Sequence, residues 1–374
     1  MTPLSRFLTV WRTVVVRDRE IIDGTVHPDH RGPSPELSQT LDELPGTYYW
    51  TEEDGEGRIV LIRPLGSRRR ERWWLHVLLL LISLGTVWMA GALLNGAPVA
   101  LPIPVISNFP VAAGPLRAWM EHVNTGAGLV FAVGLMGMLL AHELGHFFAA
   151  RRYGIDASPP YFLPAPPWIF FVGTFGAFIR LRSPVVDRRQ LLDVGAAGPW
   201  VGFLVALALL VFGLQRSEII PLAGAQPLLI EFANAKLWLG DSLLTWGARK
   251  WMLGEGTVLL HPLAQAGWFG ILVTMLNLFP MGQLDGGHVL YGMFGKRQLL
   301  VGRLFLVTLL VMGQWFYWWW IWAGFVLLIG GGRIRHPDLL DSYRPLPRNR
   351  HLLGWATILL LVVTFTPVPF QFAW

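Results

Sequence analysis

The chain has 374 residues, of which 53% are hydrophobic and 14% charged, with 19 tryptophans and 22 phenylalanines. Soluble domains carry about a quarter charged residues, so this composition indicates a lipid bilayer as the main solvent. The absence of cysteine excludes disulfides and cysteine-ligated zinc. The net charge of +6 could favour nucleic acid, but the arginines stand at the ends of apolar runs, where they set membrane topology. The lipid bilayer is therefore the expected partner, and no nucleic acid is expected.

The polar sequence of residues 1–72 predicts a small soluble N-terminal region. Two short apolar segments, Tyr48–Trp50 and Arg58–Ile62, flank an acidic stretch that contains glycine, a pattern typical of a β-hairpin. Four arginines then precede Trp73, which opens about twenty apolar residues. This order predicts a first membrane-spanning helix with the N-terminus in the cytoplasm, and residues 73–125 comprise that helix and an outer loop.

Further apolar runs predict a second span over 126–150, a third over 191–214, a fourth over 263–280 and a last over 352–372. Residues 215–262 read as an outer loop of mixed charge. The apolar stretch 299–330 fits one long tilted helix or two short spans, and the arginines after it favour two. The predicted fold class is an all-α polytopic membrane protein with about six or seven transmembrane helices. Residues 126–290 form its expected core, and 291–374 its C-terminal helices.

Residues 155–184, here called the β-loop, are apolar but contain six prolines, five of them between 159 and 167, which forbid a regular helix. The residues that follow Gly173 alternate like a strand: Thr174, Phe175, Gly176 and Ala177. Non-helical backbone at membrane depth survives only where protein buries it or where it lines a wet cavity. The β-loop is predicted to be re-entrant from the cytoplasmic side; the alternative is an ordinary cytoplasmic loop with a hairpin.

The second span contains His142-Glu143-Leu144-Gly145-His146. Residues four apart on a helix lie about 40° apart around it and about 6 Å apart along it. Both imidazoles can therefore reach one metal ion, and Glu143 lies beside them to take a proton from a metal-bound water. Ionisable residues inside an apolar span are costly and mark functional sites. The structural alternative is a pair of core histidines hydrogen-bonded to neighbouring helices.

A second motif, Asn277-Leu278-Phe279-Pro280 to Asp285-Gly286-Gly287, ends the fourth span. Pro280 breaks the helix and the glycines allow tight turns, so the Asp285 carboxylate can point into the bundle. There it would complete a two-histidine set as the third zinc ligand. A cytoplasmic turn is the simpler interpretation of Asp-Gly-Gly when it is taken alone.

The two motifs resemble those of the site-2 protease family of intramembrane metalloproteases, peptidase family M50, over roughly residues 126–290. The segment Gly173–Ala177 is similar to the family's membrane-associated β-loop, whereas PDZ and CBS modules are not apparent. The resemblance implies that His142, His146 and Asp285 hold one Zn²⁺ per chain and that Glu143 is the general base. It implies that Asn277 holds the substrate backbone or the transition-state oxygen; an interhelical hydrogen bond is the structural alternative.

The expected function is zinc-dependent hydrolysis of transmembrane protein substrates, or regulated intramembrane proteolysis, near the cytoplasmic side of a multi-pass membrane protein. The alternative from another class is a transporter or channel in which buried histidine and aspartate relay ions. Glu143 between the histidines argues against it, because an ion relay has no need of a base there. A catalytically inactive scaffold finds no support, because the motif is complete. A zinc protease with glutamate as third ligand is disfavoured by the segment Leu284-Asp285-Gly286.

Overall fold

A computed structural model describes residues 3–373, except 17–18, 31–33, 45, 54–55, 65–70, 97–125, 183–184, 221–227, 233–234, 330–333, 335–338 and 340–344. The predicted outer loop after the first span falls almost entirely on 97–125 and so lies outside the described residues. The described chain is mostly helical, but it also contains three sheets. The expected all-α class is therefore too narrow.

The N-terminal region forms a four-stranded antiparallel sheet with strand order β1-β2-β4-β3. The helix α1 is Pro35–Asp42, capped by the Ser34 side chain, which accepts a hydrogen bond from the N–H of Leu37. Leu37 and Leu61 are fully buried in the core between this helix and the sheet. The predicted hairpin is present as β3 and β4. The strand bounds are Leu8–Val16 (β1), Arg19–Val26 (β2), Thr47–Glu53 (β3) and Glu56–Pro64 (β4).

Among the described residues, three helices are long and apolar enough to cross a membrane: α2 (Trp73–Leu93), α3 (Gly126–Arg152) and α4 (Arg188–Leu214). They coincide closely with the first three predicted spans. A Cβ atom on Gly91 of α2 would lie 2.8 Å from the carbonyl oxygen of Gly128 on α3, so glycine allows these helices to touch. We call the side where α2 begins the proximal face and the side where it ends the distal face.

The β-loop forms a two-stranded antiparallel hairpin of β5 (Tyr161–Pro164) and β6 (Thr174–Phe178) that lies along α2. Near the proximal face, Nδ1 of His76 is 3.0 Å from the carbonyl oxygen of Pro160. Further along, the Thr86 hydroxyl donates to the carbonyl of Gly173 at 2.7 Å. His76 and Thr86 are about 15 Å apart along a helix, so the hairpin follows α2 over that length.

The segment 215–262, predicted as a loop, contains a helix and four strands of a sheet. The fifth strand comes from the C-terminus, and the strand order is β11-β9-β8-β10-β7. The sequence did not predict these strands because they are only three to five residues long and, apart from the β8–β9 hairpin, pair with strands distant in the chain. The bounds are Glu218–Ile220 (β7), Leu228–Phe232 (β8), Ala235–Leu239 (β9), Leu243–Leu253 (α5), Thr257–Leu259 (β10) and Phe370–Ala373 (β11).

The remaining helices are α6 (Pro262–Asn277), α7 (Asp285–Phe294), α8 (Gln298–Met312), α9 (Trp318–Ile329) and α10 (Arg348–Thr364). The apolar stretch 299–330 is thus two short helices. The chain returns after α9, because the Gln298 amide at the start of α8 lies 3.4 Å from the Ile334 carbonyl oxygen. The last predicted span ends early, at Thr364, because Pro367 and Pro369 follow and the chain continues into β11.

Candidate metal centre

Helix α3 places His142 and His146 on one face, one turn apart. Their Nε2 atoms are 3.1 Å from each other, and both residues are buried, with 2% and 7% of their surface exposed. The helix remains regular through this segment, so the geometry follows from the four-residue spacing alone. Two imidazoles that point at one place inside an apolar helix are the start of a metal site.

Asp285 is the first residue of α7, and a sharp turn after α6 brings it opposite these histidines. Its two carboxylate oxygens are 3.2 Å from Nε2 of His142 and 3.3 Å from Nε2 of His146. The turn requires glycine, because a Cβ atom on Gly286 would stand 1.8 Å from the carbonyl oxygen of Leu278. The predicted helix break is present, and it directs the carboxylate toward α3.

These three side chains fit a tetrahedral zinc ion. Ligand atoms about 2.0–2.1 Å from such an ion lie about 3.3 Å from one another. The two Nε2 atoms are 3.1 Å apart, and each lies 3.2 or 3.3 Å from a different oxygen of the Asp285 carboxylate, so that either oxygen can serve as the third ligand. Nδ1 of His146 lies 2.7 Å from the carbonyl oxygen of Val194, to which it donates. That bond fixes the ring and leaves the Nε2 lone pair for a metal. The donor set of two imidazoles and one carboxylate suits zinc.

Glu143 is buried between the two histidines, with 5% of its surface exposed. Its carboxylate accepts a hydrogen bond from the backbone N–H of Ile179. Ile179 directly follows β6, so the β-loop reaches the metal centre through a residue just beyond the predicted set. No sequence pattern indicates Ile179, because an apolar residue that acts through its backbone N–H has no side-chain signature.

Asn277, the last residue of α6, also lies at the metal centre: its Nδ2 atom is 3.4 Å from Nε2 of His142.

Within the β-loop, Thr174 is buried and its hydroxyl donates to the Leu163 carbonyl at 2.8 Å. Phe175 is about half exposed, at 49%. Gly173 packs against the backbone of α2, where a Cβ atom would meet the Thr86 carbonyl oxygen at 2.4 Å. Thr174 and Gly173 thus shape the hairpin and its contact with α2, and the role of Gly173–Ala177 toward a substrate stays a prediction.

A stripe of small residues on α4 forms the floor of the site. A Cβ atom on Gly198 would lie 2.1 Å from Nε2 of His146, and one on Gly202 would lie 3.0 Å from Nδ1 of His142. Glycines four residues apart on a helix, such as Gly198 and Gly202, are typical of a close approach between helices. This spacing gave no indication that the group approaching α4 is the pair of imidazoles.

A polar cluster stands beside the floor at the proximal end of α4. Asp193 accepts hydrogen bonds from Arg350 of α10, at 3.1 Å to Oδ1 and 2.8 Å to Oδ2, and from the Tyr153 hydroxyl. Asp193 precedes Val194, whose carbonyl fixes His146. Sequence analysis missed this cluster, because Asp193 and Arg350 are 157 residues apart.

The fold and the site together define a helical membrane protein with a three-ligand metal centre built from two helices. The sequence model described as peptidase family M50 matches residues 130–312. The chain belongs to peptidase family M50, as the predicted resemblance to the site-2 proteases implied.

Curated relatives agree with this assignment. The protein named probable zinc metalloprotease EGY1, chloroplastic, of Oryza sativa subsp. japonica is 33% identical over 74% of this chain and 50% of its own length. Its Arabidopsis thaliana counterpart is 32% identical over 79% of this chain and 54% of its own length. The protein named probable zinc metalloprotease EGY2, chloroplastic, of Oryza sativa subsp. indica is 32% identical over 76% of this chain and 51% of its own length. The chain thus spans about half the length of these relatives. No solved structure matches the chain significantly.

Proposed function

We propose that this protein is an intramembrane zinc endopeptidase that hydrolyses peptide bonds of transmembrane protein substrates. The observation that carries the proposal is the convergence of His142, His146 and Asp285, whose ligand atoms all lie within 4.8 Å of one another. No comparison supports the transporter or channel alternative, and the family match supports a peptidase.

In this proposal the three residues hold one zinc ion per chain. When bound, zinc supplies Lewis-acid activation of water and of the scissile carbonyl. The Glu143 carboxylate takes a proton from the attacking water and delivers it to the leaving amide nitrogen. The hydrogen bond from the Ile179 N–H holds that carboxylate in place. Asn277 donates its amide N–H to the substrate carbonyl, which gains negative charge during attack.

The proposed topology places the proximal face, and with it the N-terminus, in the cytoplasm. Arg151 and Arg152 at the end of α3 and the arginine-rich segment before α2 support this orientation. His146 lies six residues before the end of α3, so the centre would be about 9 Å inside that boundary. The shorter helices α6, α8, α9 and α10 would complete a multi-pass bundle of six or seven spans.

The proposed domain organisation has four parts: a soluble region over 1–72, a first helix and outer loop over 73–125, a metalloprotease core over 126–290 and C-terminal helices over 291–374. The β-loop would be re-entrant, which is supported by its contacts with α2 at both His76 and Thr86. A substrate helix must unwind before cleavage, and its strand could pair with β6 by strand addition.

The deciding experiment combines metal analysis with cleavage of a transmembrane substrate in proteoliposomes. Wild type should contain one zinc per chain, and His142→Ala and Asp285→Ala should lose both metal and activity. Glu143→Gln should keep zinc and lose cleavage. A Glu143→Gln variant that cleaves normally, or an Asp285→Ala variant with full zinc, would refute the assignment.

A further inference from the structure

Helix α5 packs beside the spanning helices. Its contact with α4 lies well before the distal end of that helix. The side chain of Leu244 belongs to an apolar cluster with Leu207 of α4 and Leu361 of α10. Leu207 precedes the end of α4 at Leu214 by seven residues, or about 10 Å along the helix axis. α5 therefore packs against a part of α4 that is long and apolar enough to be inside the membrane.

The side of α5 opposite the buried residues Thr245 and Arg249 is apolar and uncovered among the described residues. Leu243, Trp246 and Trp251 are 62%, 48% and 86% exposed. Their spacing of three and five residues places them on one broad side of the helix. We call these three residues the α5 face. Lys250 lies on the same side, with its Nζ atom 5.4 Å from the centre of the Trp246 ring.

Lys250 also pairs with Glu255 at 3.0 Å on the exposed side, whereas a second ion pair of this segment is turned the other way. Arg249 donates to Asp241 at 3.1 Å, and both side chains are largely buried, with 6% and 13% exposed. Thr245 is also buried, in a capping box with Ser242. A helix on a water-exposed surface has its apolar side inward and its polar side outward. α5 exposes tryptophan and buries an ion pair, which is the arrangement expected when lipid is the surrounding solvent.

The two helices that α5 contacts, α4 and α10, also carry exposed apolar residues. Leu204 of α4 and Leu359 of α10 are 59% and 60% exposed on the helices that α5 contacts. Tryptophan with a neighbouring lysine is the composition of the boundary between acyl chains and headgroups. We propose that α5 is an interfacial helix whose face, Leu243, Trp246 and Trp251, is seated in the lipids of the distal leaflet at that boundary.

The chain has no cysteine, so a single introduced cysteine can be spin-labelled without background. The test compares Trp251→Cys with Leu204→Cys as the reference within the bilayer and Glu36→Cys, exposed on α1, as the aqueous reference. In proteoliposomes, the collision ratio of oxygen to a nickel chelate reports depth. At position 251 it should be several-fold above that at 36 and below that at 204. A second label at Trp246→Cys should give the same ordering.

Two results would overturn the proposal. A collision ratio at position 251 equal to that at 36 would mean that α5 faces water. Dipolar broadening between labels of neighbouring chains at 251, absent at 204, would mean that a second copy covers the α5 face. Because Trp251 is mostly exposed, its replacement removes little packing, and both outcomes are read without any assay of peptidase activity.

Discussion

Gly198 of α4 lies against His146 so closely that a Cβ atom at position 198 would be 2.1 Å from the imidazole Nε2. Gly198→Ala should therefore displace the ring and abolish both zinc binding and cleavage, although alanine is the better helix former. Gly202→Ala, with its nearest contact at 3.0 Å, should lose only part of the metal affinity. Metal content per chain and a cleavage assay measure both effects.

The matched control is Gly137→Ala on α3, where a Cβ atom would meet nothing within 4 Å. This variant should keep full zinc content and full activity. Equal zinc content in Gly198→Ala and Gly137→Ala would show that α4 is not the floor of the metal centre.

Asn277→Ala should keep the zinc content of wild type and reduce kcat about 10²-fold, the usual cost of losing one donor to a developing oxyanion. The reason is the position of its amide 3.4 Å from His142 Nε2, next to the proposed reaction centre. Metal analysis and steady-state kinetics separate the two effects. A variant with normal kcat and a lowered thermal midpoint would instead support the interhelical hydrogen bond as its role.

Replacing Phe175 or Ala177 of β6 with proline should impair cleavage of a membrane-embedded substrate and leave zinc content unchanged. Proline removes a backbone N–H that an added substrate strand would need. A Phe175→Ala variant retains the N–H and serves as the control for loss of the side chain. Normal cleavage by the proline variants would rule out pairing at this strand.

Asp193→Asn should weaken zinc affinity about tenfold, a typical loss when support of a metal ligand is removed. Asp193 ties Arg350 and Tyr153 to the turn of α4 whose Val194 carbonyl fixes His146. Competition with a chelator measures the affinity, and the visible spectrum of the cobalt-substituted protein reports the ligand geometry.

Arg348→Ala provides the comparison, because Arg348 is exposed on the same helix as Arg350. It should leave affinity and spectrum unchanged, whereas Arg350→Ala should resemble Asp193→Asn. An unaltered cobalt spectrum and affinity in Asp193→Asn would limit this cluster to holding the helices together.

The N-terminal sheet should lose stability in acid because of Asp23. Burial acts to raise the pKa of this carboxyl, but ion pairs with Arg58 and Arg12 outweigh burial and hold the pKa below its ordinary value. The stabilisation is thus complete at pH values above the pKa of this carboxyl in the unfolded chain, which is about 4. It is lost as the pH falls through the lower pKa of the folded chain. Hydrogen exchange of the β2 and β4 amides in the full chain, measured at pH 3 and pH 6, reports this loss.

Asp23→Asn should reduce protection of these amides at pH 6 by about 3 kcal/mol, since it leaves Arg58 without its buried partner. Arg12→Ala should cost about 1 kcal/mol or less, because the Arg12 side chain is 68% exposed. If Asp23→Asn and wild type have the same protection at pH 6, the ion pairs do not stabilise the sheet.

Features that depend only on neighbouring residues could be predicted from the sequence alone. Apolar runs located α2, α3 and α4, because the length of a spanning helix follows from bilayer thickness. The four-residue spacing placed His142 and His146 on one face, and Pro280 with the following glycines predicted the turn that carries Asp285. Each of these follows from local backbone geometry, which a single stretch of chain specifies.

Which distant segments meet could be read only from the folded chain. Strand β11 joins a sheet whose other strands lie more than 100 residues earlier, and the exposed side of α5 depends on which helices it packs against. Likewise, a glycine stripe predicts close approach but does not specify that His146 fills the gap beside Gly198. The helical period indicates which side of a helix can be buried. The surface that covers that side is determined by the packing of the whole chain, because one apolar face can fit several other apolar faces.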